Sequence, residues 1–419
     1  MEQETEKFLA SYLLQRFTAK LQIHYNEKKR IFYNNDVSLC IQPISNSKIF
    51  NVSILDKNVP CYRCDEHEIQ LKKIPGKKSE WEINWDILGE IFDHLTLKGE
   101  REDLSGNEKN QILLPILDMK IYHFYLLLIP IFNWEYTKFK ENQFVICITH
   151  DIDRTGDSRL YRFITYFYQV IKQRRPKLLL HAFLGKNHDA NFDEIISIEN
   201  DFNTKATWFV LTRYGLKKNA DYTTKNKNYR KGINQILRAN HEIGLHTPYM
   251  DLGIDELRKE KEKLPIDEKE SIGVRMHHLR GEYPELTEIL ANAKFRYDST
   301  FGFNFIMGYR FGTSYPFKPI KINEIGENII DIYEIPLNIM DIQINSETKF
   351  NEKIKELFSI LKEVRGVCVI NWHNNRFNEI KYGNKSKNTF NFILKQGIQN
   401  NAWLCSVEEL LNFIESKTN

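Results

Sequence analysis

The sequence predicts an α/β protein. A wall of parallel strands, curled into a barrel or laid out as an open doubly wound sheet, follows a smaller α/β region at the N-terminus. Three observations predict it. From Glu141 onward, short apolar runs alternate with stretches of helical pattern, as strand–helix–strand units with right-handed crossovers require. Those runs are apolar throughout rather than on every second residue, which fits strands covered on both faces. The first 140 residues lack this alternation. The chain therefore divides into an accessory domain, residues 1–140, and a domain that carries the chemistry, residues 141–419.

The accessory domain holds four β-prone runs, Leu21–Tyr25, Arg30–Asn34, Val37–Ile44 and Lys48–Leu55. A helical stretch near Ile83–Thr96 and a charged loop from Leu97 to Asn110 follow. In the second domain the first strand is Phe144–Thr149, and a helix-patterned stretch, Arg159–Arg175, comes after it. Further strands are expected at Ala206–Leu211, His241–His246, Ile272–His278, Ile329–Pro336, Gly366–His373 and Ala402–Ser406. Helices are expected between most of them, at Asp255–Leu264, Pro284–Ala293, Phe350–Arg365, Asn388–Asn400 and Val407–Glu415.

Composition removes several function classes. Lys and Arg total 59 against 56 Asp and Glu, a net charge of +3. So small an excess gives no pull toward nucleic acid or acidic lipid. The most apolar run, Phe124–Phe132, is about half the ~20 residues a membrane-spanning helix needs, and Pro130 interrupts it. The first residues, MEQETEKFLASYLLQRF, lack the basic-then-apolar order of a secretory signal, so a cytoplasmic location is expected. Six cysteines are too few for a disulfide scaffold. Cys61 and Cys64 form one C-x-x-C, but no second ligand pair follows to complete a structural zinc site. Phosphate-loop, dinucleotide-binding and nucleophile-elbow motifs are absent. Oligomeric state is not legible.

Polar residues gather where the strands end. Parallel α/β proteins place their functional groups at the C-terminal rim of the strands. The first strand runs into Thr149-His150-Asp151-Ile152-Asp153. The third begins with His241 and ends at His246, the fourth carries Arg275, His277, His278 and Arg280, and a later one ends Asn371-Trp372-His373-Asn374. Asp151 and Asp153, two residues apart in extended chain, point to one side. Two carboxylates so close stay ionised only with a cation near them, which divides their roles between metal ligand and general base. His246 is a metal-ligand candidate, and His373, held by a rigid apolar strand, suits general-acid work. His241, five residues before His246, faces the other way in a regular strand and reads as a structural histidine.

These pieces together resemble the polysaccharide deacetylase family, carbohydrate esterase family 4, over about two thirds of the chain from Glu141. THDID is similar to the family's T-F/H-D-D strand end. KATWFVL at Lys205–Leu211 resembles K-A-T-F-F-V, and HEIGLHT at His241–Thr247 resembles H-E-I-G-N-H-T. GVR at Gly273–Arg275 matches the arginine motif, FRYDST at Phe295–Thr300 matches F-x-Y-D-S-S, and INWH ends on the family's last histidine. SVEELLNFI resembles its final helix. T-H-D-I/V-D, R-x-H-x-L-R and W-H-N together resemble a bacterial branch with an extra N-terminal domain.

The resemblance implies a distorted (β/α)7 barrel and metal-assisted removal of acetyl groups, N- or O-linked, from an acetylated carbohydrate. It implies Asp151 as general base, Arg275 as the residue that holds and tunes it, and His373 as the acid that protonates the leaving group. Asp153 and His246 would bind a divalent ion, most simply Zn2+. Two departures stand out. Ile152 separates the two aspartates, which are adjacent in the family. Met250 occupies the family's second histidine position, and a thioether is a poor ligand for such an ion. His241, Asp251 and His277 are the candidates for the third ligand. Tyr283, Tyr297, Phe301, Phe303, Tyr309 and Phe311 are expected either to stack on sugar or to fill the core. Two other readings remain open: a catalytically silent carbohydrate-binding module, and a metal hydrolase of a non-sugar amide.

Overall fold

The computed structural model describes residues 2–19, 24–26, 30–33, 38–41, 44, 50–61, 63–64, 69–77, 79–97, 113–128, 134–136, 139–156, 163–164, 167–168, 170–171, 189–215, 219–249, 253–267, 271–323 and 326–418. The expected loop 97–110 lies outside them apart from Leu97, as does most of the expected helix 159–175.

The N-terminal part begins with helix α1 (Gln3–Leu14). Strands β1 (Phe17–Ala19) and β9 (Trp134–Tyr136) pair antiparallel. Between them, β2 (His24–Asn26), β3 (Ile31–Tyr33), β4 (Ser38–Ile41), β7 (Leu71–Lys73) and β8 (Glu80–Ile83) form a sheet in the order β2-β3-β4-β8-β7. β5 (Phe50–Ile54) and β6 (Lys57–Cys61) make a separate hairpin. Helix α2 (Ile87–Leu95) opens on Asp86, whose side chain accepts the Gly89 N–H at 3.0 Å; such a cap satisfies one of the helix's unpaired donors. Helix α3 (Ile116–Leu128) follows. Cys61 and Cys64 are buried and form no disulfide.

A buried carboxylate is a main joint between this region and the rest. Asp118 on α3 accepts Arg16 Nη1 at 2.8 Å, Thr313 Oγ1 at 2.8 Å and the Ser314 backbone N–H at 2.8 Å. Ser314 Oγ in turn accepts the Val367 N–H at 3.0 Å, and Arg16 Nη2 donates to the Val364 carbonyl at 3.1 Å. The N-terminal region thus sits at the foot of the strand that starts at Val367, opposite the rim where the strands end.

The barrel wall is a parallel sheet of β10 (Phe144–Ile152), β11 (Thr207–Leu211), β12 (Glu242–Thr247), β13 (Gly273–Met276), β14 (Tyr297–Asp298), β17 (Tyr333–Glu334), β18 (Ile339–Met340), β19 (Val367–Asn371) and β20 (Ala402–Cys405). Its order is β17-β14-β13-β12-β11-β10-β19-β18, with β20 beside β10. Helices cover it: α4 (Phe192–Asp201), α5 (Lys227–Arg238), α6 (Ile254–Glu262), α7 (Glu285–Asn292), α8 (Phe350–Val364), α9 (Glu379–Tyr382), α10 (Lys385–Gln399) and α11 (Val407–Thr418).

The sheet's two edges are consecutive in sequence. The Ile335 N–H bonds the Asp298 carbonyl on one side at 2.8 Å, while Asn338 bonds Val369 on the other, its Oδ1 accepting the Val369 N–H at 2.7 Å. Three residues of extended chain span at most about 10 Å. The edges must therefore curl to face each other, which makes a distorted barrel closed by a connecting segment rather than an open doubly wound sheet.

Two expectations change. The run Ile329–Pro336 is not one strand. Ile329 ends β16 (Gly326–Ile329), the antiparallel partner of β15 (Ile320–Asn323), and only Tyr333–Glu334 joins the barrel. The chain turns between them, with the Ile332 N–H on the Ile330 carbonyl at 2.9 Å. Both isoleucines are buried and Asp331 between them is exposed, so the turn shows the same apolar–polar alternation as a strand. The strand expected to reach His278 ends at Met276, and His278 and Leu279 adopt left-handed φ angles of 62° and 51°. Among the aromatics considered for sugar stacking, Tyr297, Phe301, Tyr309 and Phe311 are buried core, and Tyr283 hydrogen-bonds the Leu95 carbonyl.

Candidate active site

Five strand ends deliver the site. On β10, side chains alternate: Thr149 and Asp151 meet Arg275, while His150 turns to α4 and α10. Asp153 follows on the same side as Asp151. β12 and β13 are paired in parallel with His246 beside Arg275.

Arg275 is fully buried and uses its whole guanidinium. Nη1 donates to Thr149 Oγ1 at 2.8 Å and to Asp151 Oδ1 at 3.0 Å. Nε donates to the Ser299 carbonyl and Nη2 to Ser299 Oγ, both at 2.9 Å. Its plane lies 4.3 Å from the centre of the Phe209 ring. The second Asp151 oxygen, Oδ2, accepts Asn371 Nδ2 at 2.7 Å. Burial alone would raise the Asp151 carboxyl; His246, Arg275 and His373 outweigh it and hold the group below the usual carboxylate range.

Three other groups converge beside it. His246 Nδ1–H donates to the Arg275 carbonyl at 2.9 Å, which fixes the tautomer and leaves Nε2 as a lone pair. Burial, its largest influence, pushes this imidazole down to about 4, so it is neutral near pH 7. Its Nε2 lies 3.5 Å from Asp153 Oδ1, and His277 Nε2 lies 3.7 Å from the same oxygen. The His277 ring packs edge-on to His246, 4.8 Å between centres, and stacks on His278 at 4.0 Å. The left-handed backbone at His278 turns the chain away immediately after His277.

Asp153, His246 and His277 each offer one ligand atom, all within 4.8 Å of one another. Asp153 Oδ1, His246 Nε2 and His277 Nδ1 are buried and find no hydrogen-bond partner among the described residues. Buried polar atoms without partners are costly. An acidic oxygen and imidazoles aimed at one point are the donor set of a divalent metal, so the residues fit such an ion. Burial would raise the Asp153 carboxyl, but His277, His373 and His246 reverse this and hold it well below the usual range.

His373 closes the arrangement. Its backbone N–H and Nδ1 both bond Asp341 Oδ2, at 2.6 and 2.9 Å. Its Nε2 faces both aspartates, 3.9 Å from Asp151 Oδ2 and 3.8 Å from Asp153 Oδ2. Burial would lower it, but Asp341 and then the two aspartates raise it to about 9. A carboxylate with a depressed value thus faces an imidazole with a raised one.

The structure brings Asp151, Asp153, His246, Arg275 and His373 together. It does not bring His241 with them. His241 Nδ1 accepts the Ala206 N–H at 2.9 Å and its Nε2 lies 3.6 Å from Glu199 on α4, on the helix side of the sheet. That corrects His241 as a metal candidate: strand alternation turns it away, and His277 takes the third place. Met250 and Asp251 lie outside the described residues. Sequence reasoning missed Asp341, which is 32 residues from His373 and sits after a two-residue strand with no motif around it.

Comparison with protein-family profiles finds no match, nor does comparison with curated protein sequences. Solved structures do show likeness. One is a Mycobacterium smegmatis protein assigned as a polysaccharide deacetylase, 16% identical, with a TM-score of 0.43, covering 66% of this chain and 92% of that one. PuuE allantoinase is 13% identical, with a TM-score of 0.42 and 66% and 91% covered. BA3943, a pseudoenzyme of carbohydrate esterase family 4 from Bacillus anthracis, is 11% identical, with a TM-score of 0.30 and 65% and 66% covered. Over about two thirds of its length, the chain is similar to solved structures of polysaccharide deacetylases.

Proposed function

We propose that the protein is a metal-dependent hydrolase that removes acetyl groups, N- or O-linked, from a carbohydrate. One observation carries this reading: ligand atoms of Asp153, His246 and His277, all within 4.8 Å of one another, stand beside a carboxylate held by Arg275 and an imidazole held by Asp341. The order of motifs along the chain supports the same chemistry.

Asp153, His246 and His277 would hold a divalent ion, with Zn2+ suited to one oxygen and two nitrogens. When bound, it supplies Lewis-acid polarisation of the acyl carbonyl and makes water easier to deprotonate. The chain's own residues do the rest. Asp151, ionised because Arg275 and Asn371 occupy its two oxygens, takes the proton of the attacking water. Arg275 keeps the carboxylate from rotating, since its other donors are tied to Thr149 and Ser299. His373 carries a proton at neutral pH and presents Nε2 to the reaction space. As the C–N or C–O bond breaks, that proton goes to the leaving amine or alkoxide. Transfer of the proton from Asp151 to His373, directly or through water, resets the pair.

The test is metal content of the purified protein after zinc loading, beside Asp153→Ala, His246→Ala and His277→Ala. About one ion per chain in the wild type, lost in all three variants, with acetate release from acetylated sugars and none from small amides, is the expected result. A wild type that takes up no zinc or cobalt overturns it in favour of a silent carbohydrate-binding module. Release from amides alone replaces the substrate class.

A further inference from the structure

The helix-facing side of β10 carries a polar assembly that the chemistry above does not use. His150 and Glu199 are both fully buried. His150 Nδ1 meets the Trp372 carbonyl at 2.7 Å, and its Nε2 meets Glu199 Oε1 at 2.7 Å. A carbonyl oxygen only accepts, so the proton on Nδ1 is fixed. The ring lies against Trp208, 4.3 Å between centres, and near Phe390. His241 stands on the far side of the same carboxylate, its Nδ1 taken by the Ala206 N–H.

Both ends of this bridge touch the site's neighbours in sequence. His150 precedes the base Asp151. Trp372 precedes the acid His373. The β10–β19 ladder runs only from Val145 with Val367 to Thr149 with Asn371, and the Trp372 N–H on the Thr149 carbonyl is its last backbone bond. Beyond that point the two strands part, and the His150 imidazole replaces the missing ladder bond. Glu199, anchored in α4, holds the imidazole from behind. A buried polar group tied at both ends rigidifies what it joins, and catalytic groups need such support from the residues behind them.

We propose that His150 and Glu199 form a strut that sets the separation of Asp151 and His373 from behind the sheet, making both positioning residues for the reaction. The proposal rests on the base and acid roles assigned above, but one of its readouts does not.

Three variants test it. His150→Phe keeps the ring packing and loses both bonds. Glu199→Leu removes the support, and Glu199→Gln restores a hydrogen-bonding partner for Nε2 without the charge. In zinc-loaded protein with p-nitrophenyl acetate, His150→Phe and Glu199→Leu lower kcat at least tenfold with KM within twofold, and Glu199→Gln recovers most of the loss. Amide hydrogen exchange, read on peptides across residues 366–377, rises at least tenfold at Trp372–Asn375 in the first two variants and recovers in the third. A general rise along β10 and β19 would show a purely structural bond and overturn the strut, as would unchanged exchange. A wild type that leaves the ester intact overturns the assigned base and acid roles, while the exchange pattern still decides whether the bridge holds Trp372 and His373.

Discussion

Asp151 and Asp153 at the rim, and Asp298 and Glu334 on β14 and β17, are two carboxylate pairs in one barrel wall. Burial pushes all four upward. The rim pair nevertheless ends below the usual carboxylate range, because His246, His277, His373 and Arg275 surround it. The second pair, in register across the two strands, ends above it. Asp298 is raised to about 7 by its burial, and Glu334 goes well above its ordinary value through burial and the nearby Asp298. Asp298 Oδ1 takes Thr300 Oγ1, while Asp298 Oδ2 and both Glu334 oxygens find no partner among the described residues. Depth alone does not decide ionisation; the neighbouring cations do. One pair is built to be charged and the other to keep a proton.

The largest expected effect breaks the rim pair. Asp151→Asn loses turnover about a thousandfold, the scale of general base catalysis, and keeps its metal. Full activity in that variant removes the base from the mechanism.

Next in size is the cation that hydrogen-bonds Asp151. Arg275→Met costs roughly 3–5 kcal/mol in urea unfolding, because Asp151 is left charged and buried. Adding Asp151→Asn to it restores part of that loss. Strictly additive losses in the double variant would show that Arg275 does not act through Asp151.

The pH dependence sharpens the contrast. With Asp151 held low and His373 raised to about 9, the rate is flat through neutrality and falls as pH rises through about 9. The sign for stability follows. A histidine raised in the folded state stabilises fully below its ordinary value of 6.5, and this is lost as pH rises through about 9. Melting temperatures of Asp341→Asn against wild type, taken at pH 6 and pH 10, read this directly: a gap at pH 6 that closes at pH 10 is expected. An equal gap at both values refutes the pairing.

The smallest effect is at the second pair and has the opposite sense. Asp298 keeps a proton that the unfolded chain releases above about 3.8, so stability falls as pH rises from there to about 7. Asp298→Asn and Glu334→Gln are each expected to raise stability at pH 8 and to change it little at pH 4. A loss at pH 8 would mean that the charged forms are paired.

Much of the barrel was legible because a strand buried on both faces must be apolar throughout, and Phe144–Ile148 or Val367–Ile370 is unmistakable. The polar residues that end those strands were legible for the same reason, since a sharp change from apolar to Asp, His or Arg has few structural uses. The two-residue strands β14 and β18 were not, because two residues carry no period. Nor was the turn at Ile330–Ile332, where Ile-Asp-Ile alternates as a strand would. The C-x-x-C of Cys61 and Cys64 pointed to no chemistry, and both thiols are buried.

The choice of third metal candidate shows where the boundary falls. Sequence spacing placed His241, Asp251 and His277 on equal terms, and alternation along a strand turned His241 away. Only the packed structure shows that β13 stops at Met276 and that a left-handed turn at His278 leaves His277 facing His246 and Asp153. Only it joins Asp341 to His373 and His150 to Trp372. The sequence by itself determined the alternating α/β order and the strand ends that carry Asp, His and Arg, because periodicity and residue type are local. Tertiary structure alone decided which of these groups share a space and which carboxylates have enough positive neighbours to offset their burial, because distance between strands and the polarity of each surrounding are set by packing.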